Sequence, residues 1–401
     1  MKRLKEQIKY VALLAVCLLS GCSDFLDSYN PSAVTDDFYN TKEGQQKLLT
    51  DINARYRNVF NTGELQYYGT DIYMAISEEP AERMFNGYDK TFNSTAPVVG
   101  DYWKVLYKIV QESNILLNRC TPAIAGNDYT SLTAQARFFR AMAYYYLVET
   151  FGPVPLLVEE NTDVIQQAER TSEQAIYTFI ITELNAIKDQ LDMTTNSAGK
   201  VTNAAVIHFL GKMYLTRAYK SFAEANDFSE AATTFDLLIE NPSSGYALQE
   251  NFAALFDENN QANSEVIWAI QYGLDKNYRG GGNPQQAQFG FNIVALEPDM
   301  FTKSDYSNAS RKYWVNPKAH ELYTNPEIDT RYDVTFAREY YINNPDNADY
   351  GKLGIYFPRW NDKSGMSNNA KKYYPFMVSA VYGTACSGNS LRPYADDSEV
   401  P

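Results

Sequence analysis

Two histidines and four cysteines in 401 residues leave little material for metal chemistry. No Cys/His cluster has the spacing that holds a zinc ion, so a metal cofactor is not expected. Basic charge is also short, with 35 Lys and Arg against 49 Asp and Glu and a net charge of −14. An acidic chain without basic runs argues against nucleic acid and anionic membrane surfaces as partners. Nothing matches a known catalytic signature. The triple glycine Gly280, Gly281, Gly282 is followed by no Lys-Ser/Thr pair and is not a phosphate-cradling loop. Carboxylate pairs are unavoidable among 49 acids and do not by themselves suggest glycoside hydrolysis. The chain is therefore not expected to be an enzyme, and no cofactor is expected.

The apolar run near the N-terminus, from about Tyr10 to Leu19, is also too short to span a membrane. A spanning helix needs about 20 apolar residues. Lys2, Arg3, Lys5 and Lys9 precede the run and small residues close it, which is the layout of a cleavable signal. The closing residues Leu19-Ser20-Gly21-Cys22 carry a sulfur nucleophile directly behind small residues, the arrangement of a bacterial lipobox. Residues 1–21 are read as a lipoprotein signal and Cys22 as the lipid attachment point. Acyl chains hold firmly because each buried methylene contributes about 0.8 kcal/mol. Loss of four basic residues and one acidic residue with the signal takes the charge from −14 to −17 and leaves 380 residues.

What the chain has in abundance is aromatic: 32 Tyr, 21 Phe and 4 Trp. Most such rings build core, but rings in Asn- and Gly-rich loops also suit flat ligands such as sugars. With Cys17 lost and Cys22 acylated, Cys120 and Cys386 remain, and two isolated core thiols are expected. His208 lies in an apolar helical stretch and is expected to be a hydrogen-bonded core residue; His320 carries no clear assignment.

From Asp36 to about Asn241 apolar residues recur at helical spacing. Leu48, Leu49, Ile52, Tyr56, Val59 and Phe60 form one stripe, and Trp103, Leu106, Tyr107, Val110, Asn114 and Leu117 a second. Asn114 is expected to bond between helices. Leu132 through Leu147 make a third helix, stopped at Gly152-Pro153. Ile176 through Leu191 make a fourth, with Thr171 and Gln174 as its capping box. Leu210-Gly211-x2-Tyr214, Ala231-x3-Phe235 and Pro242 match a tetratricopeptide helix pair, with Asp227 and Glu230 expected to cap its second helix. After Tyr246 the texture becomes loop-rich, apart from a short strand expected over Glu265–Gln271. Long loops on a rigid scaffold are where binding residues gather.

Several segments together resemble the SusD/RagB family of nutrient-binding outer-membrane lipoproteins. "AQARFFRAMAYYYLVETFGPVPLL" (134–157) is similar to the family's Arg-Phe-x-Arg-Ala helix and its Phe-Gly-x-Val-Pro-Leu exit. "YWKVLYKIVQESNILLNR", "GKVTNAAVIHFLGKMYLTRA", "NSEVIWAIQY" and "CSDFLD" resemble further landmarks, and Asp329-Thr330-Arg331 replaces the usual Asp-Pro-Arg. The resemblance implies an all-α, tetratricopeptide-like helical repeat scaffold with long irregular loops and a few short strands. It also implies non-catalytic binding of nutrient oligosaccharide, delivery to a SusC-like TonB-dependent transporter, and a lipid-anchored place on the outer membrane, facing the exterior. Residues 22–401 are read as one domain, helical over 22–245 and forming a loop-rich ligand face over 246–401. The family's "RYAD" stretch opens further helices, whereas here Tyr394-Ala395-Asp396 is soon followed by Pro401, so the C-terminal helices are expected to be missing.

The family's ligand contacts lie in variable loops and transfer to no position here. Chemistry and loop position nominate Asp71, Arg83, Tyr88 and Phe92 in one region and Tyr278, Phe289, Tyr306 and Trp314 in another. Rings would stack on sugars while Asp and Arg bond hydroxyls. The alternative is a tetratricopeptide-type scaffold lipoprotein that binds protein or peptide.

Overall fold

The computed structural model describes residues 36–61, 64–75, 84–85, 87–88, 90–163, 165–195, 199–257, 259–272, 293–302, 313–315, 317–325 and 328–358. Six long helices form its body: α1 (Lys42–Asn61), α2 (Pro97–Arg119), α3 (Tyr129–Phe151), α4 (Glu173–Ile187), α5 (Asn203–Ala218) and α6 (Asp227–Ile239). Four of them have an identifiable start signal. Thr41 Oγ1 accepts from the Gly44 amide at 3.0 Å, and Pro97 opens α2 at a position whose amide would be unpaired anyway. Ser172 and Thr202 cap α4 and α5 through the Ala175 and Ala205 amides.

Sequential helices pack against one another, α2 on α3, α3 on α4, α4 on α5 and α5 on α6, with α1 laid across α2 and α3. This neighbour-to-neighbour order is that of helical repeat proteins, and the all-α, tetratricopeptide-like expectation holds. The predicted stripes supply the core: Leu48, Ile52, Tyr56 and Val59 from α1, Leu106 and Val110 from α2, Leu132, Phe139, Ala143 and Leu147 from α3, and Ile176, Ile180, Leu184 and Ile187 from α4 are all buried. At the tetratricopeptide pair, a Cβ on Gly211 would fall 2.7 Å from the Phe235 ring, so the small residue is what admits the aromatic one. Gly152, at φ 68°, ends α3 where expected.

Four expectations are corrected. The cap of α4 is Ser172, not Thr171, whose amide instead bridges to the Val154 carbonyl. Asp227 does not cap α6: its buried carboxylate takes both arms of the Arg217 guanidinium (3.0 and 2.6 Å) and the Glu224 amide. His208 is exposed, on the α5 face beside α6, so the apolar residues around it define the opposite face. Residues 265–271 form no strand; Trp268 from that stretch packs against Tyr56, Phe138 and Phe139 and donates to the Gly199 carbonyl at 3.0 Å.

Asn114 also does more than bridge helices. Residues 153–161 run as an extended strap over α2 and α3, and alternate carbonyls of the strap are taken by side chains. Tyr107 donates to Pro155 (2.7 Å), Asn114 to Leu157 and Glu159 (3.0 and 2.9 Å), and Gln111 to Asn161 (2.8 Å). Arg140 reaches the Val158 carbonyl, the Asn114 Oδ1 and, at 2.5 Å, Glu183 on α4. The strap is mostly half-buried, and helix side chains pair its carbonyls where a neighbouring strand would otherwise do so. This explains why the Arg-Phe-x-Arg-Ala helix and the Phe-Gly-x-Val-Pro-Leu exit occur together. Cys120 is a buried thiol at the end of α2; Cys22 and Cys386 lie outside the described residues.

Candidate functional site

Beyond α1 a one-turn helix (Glu64–Tyr67) leads into a shoulder of aromatic rings. Tyr68, Phe85 and Phe92 follow one another at centroid distances of 5.7 and 5.1 Å, and Tyr88 lies 6.1 Å beyond Phe92. Tyr68, Met84, Phe85 and Ala96 are the buried floor of this shoulder, separate from the main core. Tyr88 is its outermost ring, 66% exposed.

Tyr88 is held in an unusual way. Its φ is 46°, the one left-handed value of a residue other than glycine among the described residues. Such a conformation costs roughly 1–3 kcal/mol and persists only where surrounding contacts impose it. The contact here is the Tyr88 hydroxyl, which donates to the Gly69 carbonyl at 3.0 Å. Gly69 is itself left-handed at φ 69°, and a Cβ there would lie 2.6 Å from the Phe85 carbonyl oxygen and 2.8 Å from the Tyr88 hydroxyl. Glycine at 69 and tyrosine at 88 thus form one device that pins an exposed ring.

A short strand, β1 (Tyr73–Ala75), then leaves the shoulder and pairs antiparallel with β2 (Tyr313–Val315), with Met74 opposite Trp314. The pairing joins the two loop regions nominated from sequence. Asp71 is exposed at the turn before β1, where Thr70 Oγ1 accepts from the Ile72 and Tyr73 amides. Tyr73 stands 5.6 Å from Tyr67, and its hydroxyl pKa is raised by burial and by the neighbouring Tyr67 and Tyr323. Tyr272, raised by burial, caps the Arg57 guanidinium at 5.6 Å. These hydroxyls stay protonated at neutral pH.

Past β2, His320, Tyr323, Tyr332 and Phe336 form a second ring cluster, with His320 and Phe336 centroids 4.4 Å apart. His320 Nδ1 lies 3.1 Å from the Tyr332 hydroxyl, and burial lowers its pKa to about 4. Arg331 pairs with Asp329 at 2.7 Å and sits over the Tyr323 ring at 5.9 Å. The Asp329-Thr330-Arg331 landmark therefore positions a cation on an aromatic edge. A two-stranded hairpin, β3 (Glu339–Tyr341) with β4 (Leu353–Tyr356), closes the described part of the face.

Of the sequence-nominated residues, the structure sets Tyr88 and Phe92 beside each other, leaves Asp71 exposed at the turn before β1, and places the Trp314 backbone across the strand pair from Met74. Arg83, Tyr278, Phe289 and Tyr306 lie outside the described residues. Tyr67, Tyr73 and Tyr323 were not nominated. The Tyr67-Tyr68-Gly69 run was the available signal, since a glycine behind two rings marks a turn that can present them. No group of acids, histidines and cysteines among the described residues could hold a metal ion.

Two family models match this chain: one described as starch-binding associating with outer membrane, over residues 24–215, and one described as the SusD family, over 264–391. The chain belongs to the SusD/RagB family. A SusD-like protein of Bacteroides ovatus is 27% identical over 286 residues, covering 67% of this chain and 50% of that relative. The starch-binding protein SusD of Bacteroides thetaiotaomicron is 27% identical over 187 residues, 45% of this chain and 32% of that relative. Among solved structures, a laminarin-binding SusD-like protein superposes with a TM-score of 0.59 at 23% identity, covering 80% of this chain and 70% of its own. That superposition supports the SusD-like fold. The chain spans about half the length of the curated relatives it matches. The family is associated with the outer membrane, and no described helix of this SusD-like chain is long and apolar enough to cross one.

Proposed function

We propose that this chain is a non-catalytic glycan-binding lipoprotein that captures nutrient oligosaccharides at the cell surface and passes them to a SusC-like TonB-dependent transporter. Acylated Cys22 would anchor it to the outer membrane, facing outward, with residues 22–401 as a single domain whose loop-rich part carries the ligand face. The observation that carries the reading is Tyr88: an exposed ring fixed by a strained backbone and a hydroxyl anchor, at the edge of a continuous aromatic shoulder. A fixed ring stacks on a sugar without losing rotamer freedom, which is why pre-organised aromatics bind well for their area. Relatives described as binding starch and laminarin, and a SusD-like fold neighbour solved with a xylogluco-oligosaccharide, supply the ligand class. Asp71, Arg83, Phe92, Tyr278, Phe289, Tyr306 and Trp314 are the companion residues of the proposal. No cofactor and no nucleic acid enters it.

Affinity electrophoresis through gels of starch, laminarin or xyloglucan tests the reading. Retardation by at least one of them, relieved in Tyr88→Ala, is the expected result. Migration unaffected by any of the three, or release of reducing sugar by the purified chain, would overturn it.

A further inference from the structure

Helix α5 and the residue pair beyond its end carry Lys212, Arg217 and Lys220, and two of these cations are neutralised. Arg217 is forked onto Asp227 and also meets Glu224 at 2.7 Å. Lys220 lies 2.7 Å from Glu149, which also accepts from the Tyr177 hydroxyl. Lys212 has no carboxylate within ion-pair distance among the described residues. Its ammonium sits half-buried over the Tyr145 ring of α3, 5.0 Å from the centroid. Burial lowers its pKa, and the more distant Glu149 raises it only in part.

The surroundings of Lys212 continue along one stripe. His208, Lys212, Leu215 and Tyr219 follow at spacings of four, three and four residues, which places them above one another on a helical face. His208 is exposed and its ring lies 5.9 Å from Phe235 of α6; the surrounding protein and the Lys212 charge hold it below its ordinary pKa. Leu215 is exposed as well. Tyr219 is 77% exposed and meets Phe228 edge-on at 5.3 Å, itself 55% exposed. The stripe is about 16 Å long at 1.5 Å per helical residue, the reach of roughly five residues of extended chain. It lies on the α5–α6 pair, apart from the aromatic shoulder.

We infer that this stripe is a docking face for an acidic peptide segment, one carboxylate resting on Lys212 and one or two apolar side chains covering Leu215 and the Tyr219–Phe228 pair. The argument is charge complementarity joined to exposed apolar surface. Half-buried and without an ion-pair partner among the described residues, the Lys212 ammonium attracts a carboxylate more strongly than a fully hydrated surface lysine does, a local attraction that acts against the chain's overall charge of −14. Leu215, Tyr219 and Phe228 lie one to two turns further on, where an extended peptide would bring its next side chains. A sugar acid could neutralise Lys212 equally well but would offer nothing aliphatic to Leu215.

Fluorescence anisotropy with the full chain and a labelled peptide Gly-Glu-Gly-Leu-Phe-Gly tests this. The expected result is saturable binding that weakens with added salt. The affinity should drop about tenfold when the peptide glutamate becomes glutamine, and by a similar factor in Lys212→Met. Tyr219→Ser should weaken binding of both the acidic and the glutamine peptide. Lys212→Met removes a partly desolvated charge, so its melting temperature should be equal to the parent or higher, which separates loss of binding from loss of fold. Absence of saturable binding, equal affinity in Lys212→Met, or displacement by trigalacturonate at concentrations below the peptide's own Kd would overturn the inference.

Discussion

The hydroxyl of Tyr144 engages both backbone groups of a single strap residue: it donates to the Leu157 carbonyl at 2.8 Å and accepts from the Leu157 amide at 2.6 Å. One buried oxygen thus replaces the two partners that a β-ladder would provide. Tyr144→Phe keeps the ring and leaves the Leu157 amide without its partner, while the Leu157 carbonyl retains Asn114 at 3.0 Å. One such group costs about 1–3 kcal/mol when buried, so a loss of that size is expected from urea unfolding. A change below 1 kcal/mol would mean that water reaches the strap.

The Arg217–Asp227 pair separates two roles for one carboxylate. Loss of a helix cap costs about 1 kcal/mol, whereas removing one member of a buried ion pair costs about 3–5 kcal/mol. Asp227→Ala should fall in the second range by thermal or urea unfolding. Arg217→Met combined with Asp227→Leu should recover most of it, because no charge is then left buried alone.

His320 predicts a dependence on pH. It is buried neutral, with a pKa of about 4 in the folded chain, while an unfolded histidine titrates near 6.5. Below pH 6.5 the unfolded chain therefore binds a proton that the folded chain refuses. The contribution is fully present above pH 6.5 and is lost progressively as pH falls toward 4. By pH 4.5 the loss amounts to about 2–3 kcal/mol. His320→Gln should be less sensitive than the parent to a shift from pH 7 to pH 4.5 by about that amount in unfolding free energy. Parallel pH profiles for the two proteins would show that the ring is hydrated in solution.

Trp314 is the test of the loop face on its second strand. If it carries a sugar platform, Trp314→Ala should cost roughly 1–3 kcal/mol of binding, by analogy with base stacking. Titration calorimetry with the oligosaccharide that retards the parent chain reads this directly. Unchanged affinity with an intact circular dichroism spectrum would remove Trp314 from the site.

The helical half was legible because its signals are local. Leu48, Ile52 and Tyr56 repeat at helical period within one element, and Gly211 with Phe235 sit inside one hairpin. What escaped was set by distant partners. Asp227 looks like a cap until Arg217 is seen ten residues earlier on the neighbouring helix. Glu265 to Gln271 is an apolar run of strand length between polar ends, but Trp268 is drawn instead against Tyr56 and Phe139, and no ladder partner lies alongside among the described residues. The aromatic shoulder was half legible: Tyr88 and Phe92 stood out as loop rings, yet the bond that holds the Tyr88 ring runs to the Gly69 carbonyl, nineteen positions away. Asn114 was recognised as a hydrogen-bonding residue, but its partners are strap carbonyls that carry no sequence signal.

The β1–β2 pairing has a consequence for synthesis. Met74 and Trp314 face each other although 240 positions separate them. A chain emerging from its N-terminus completes α1 through α6 long before residue 314 exists. The helical body can consolidate first, while the edge of β1 stays open throughout that interval. Assembly of the loop face is therefore the late event, and any premature stop before residue 313 yields a helical body whose first aromatic loops have no second strand to join.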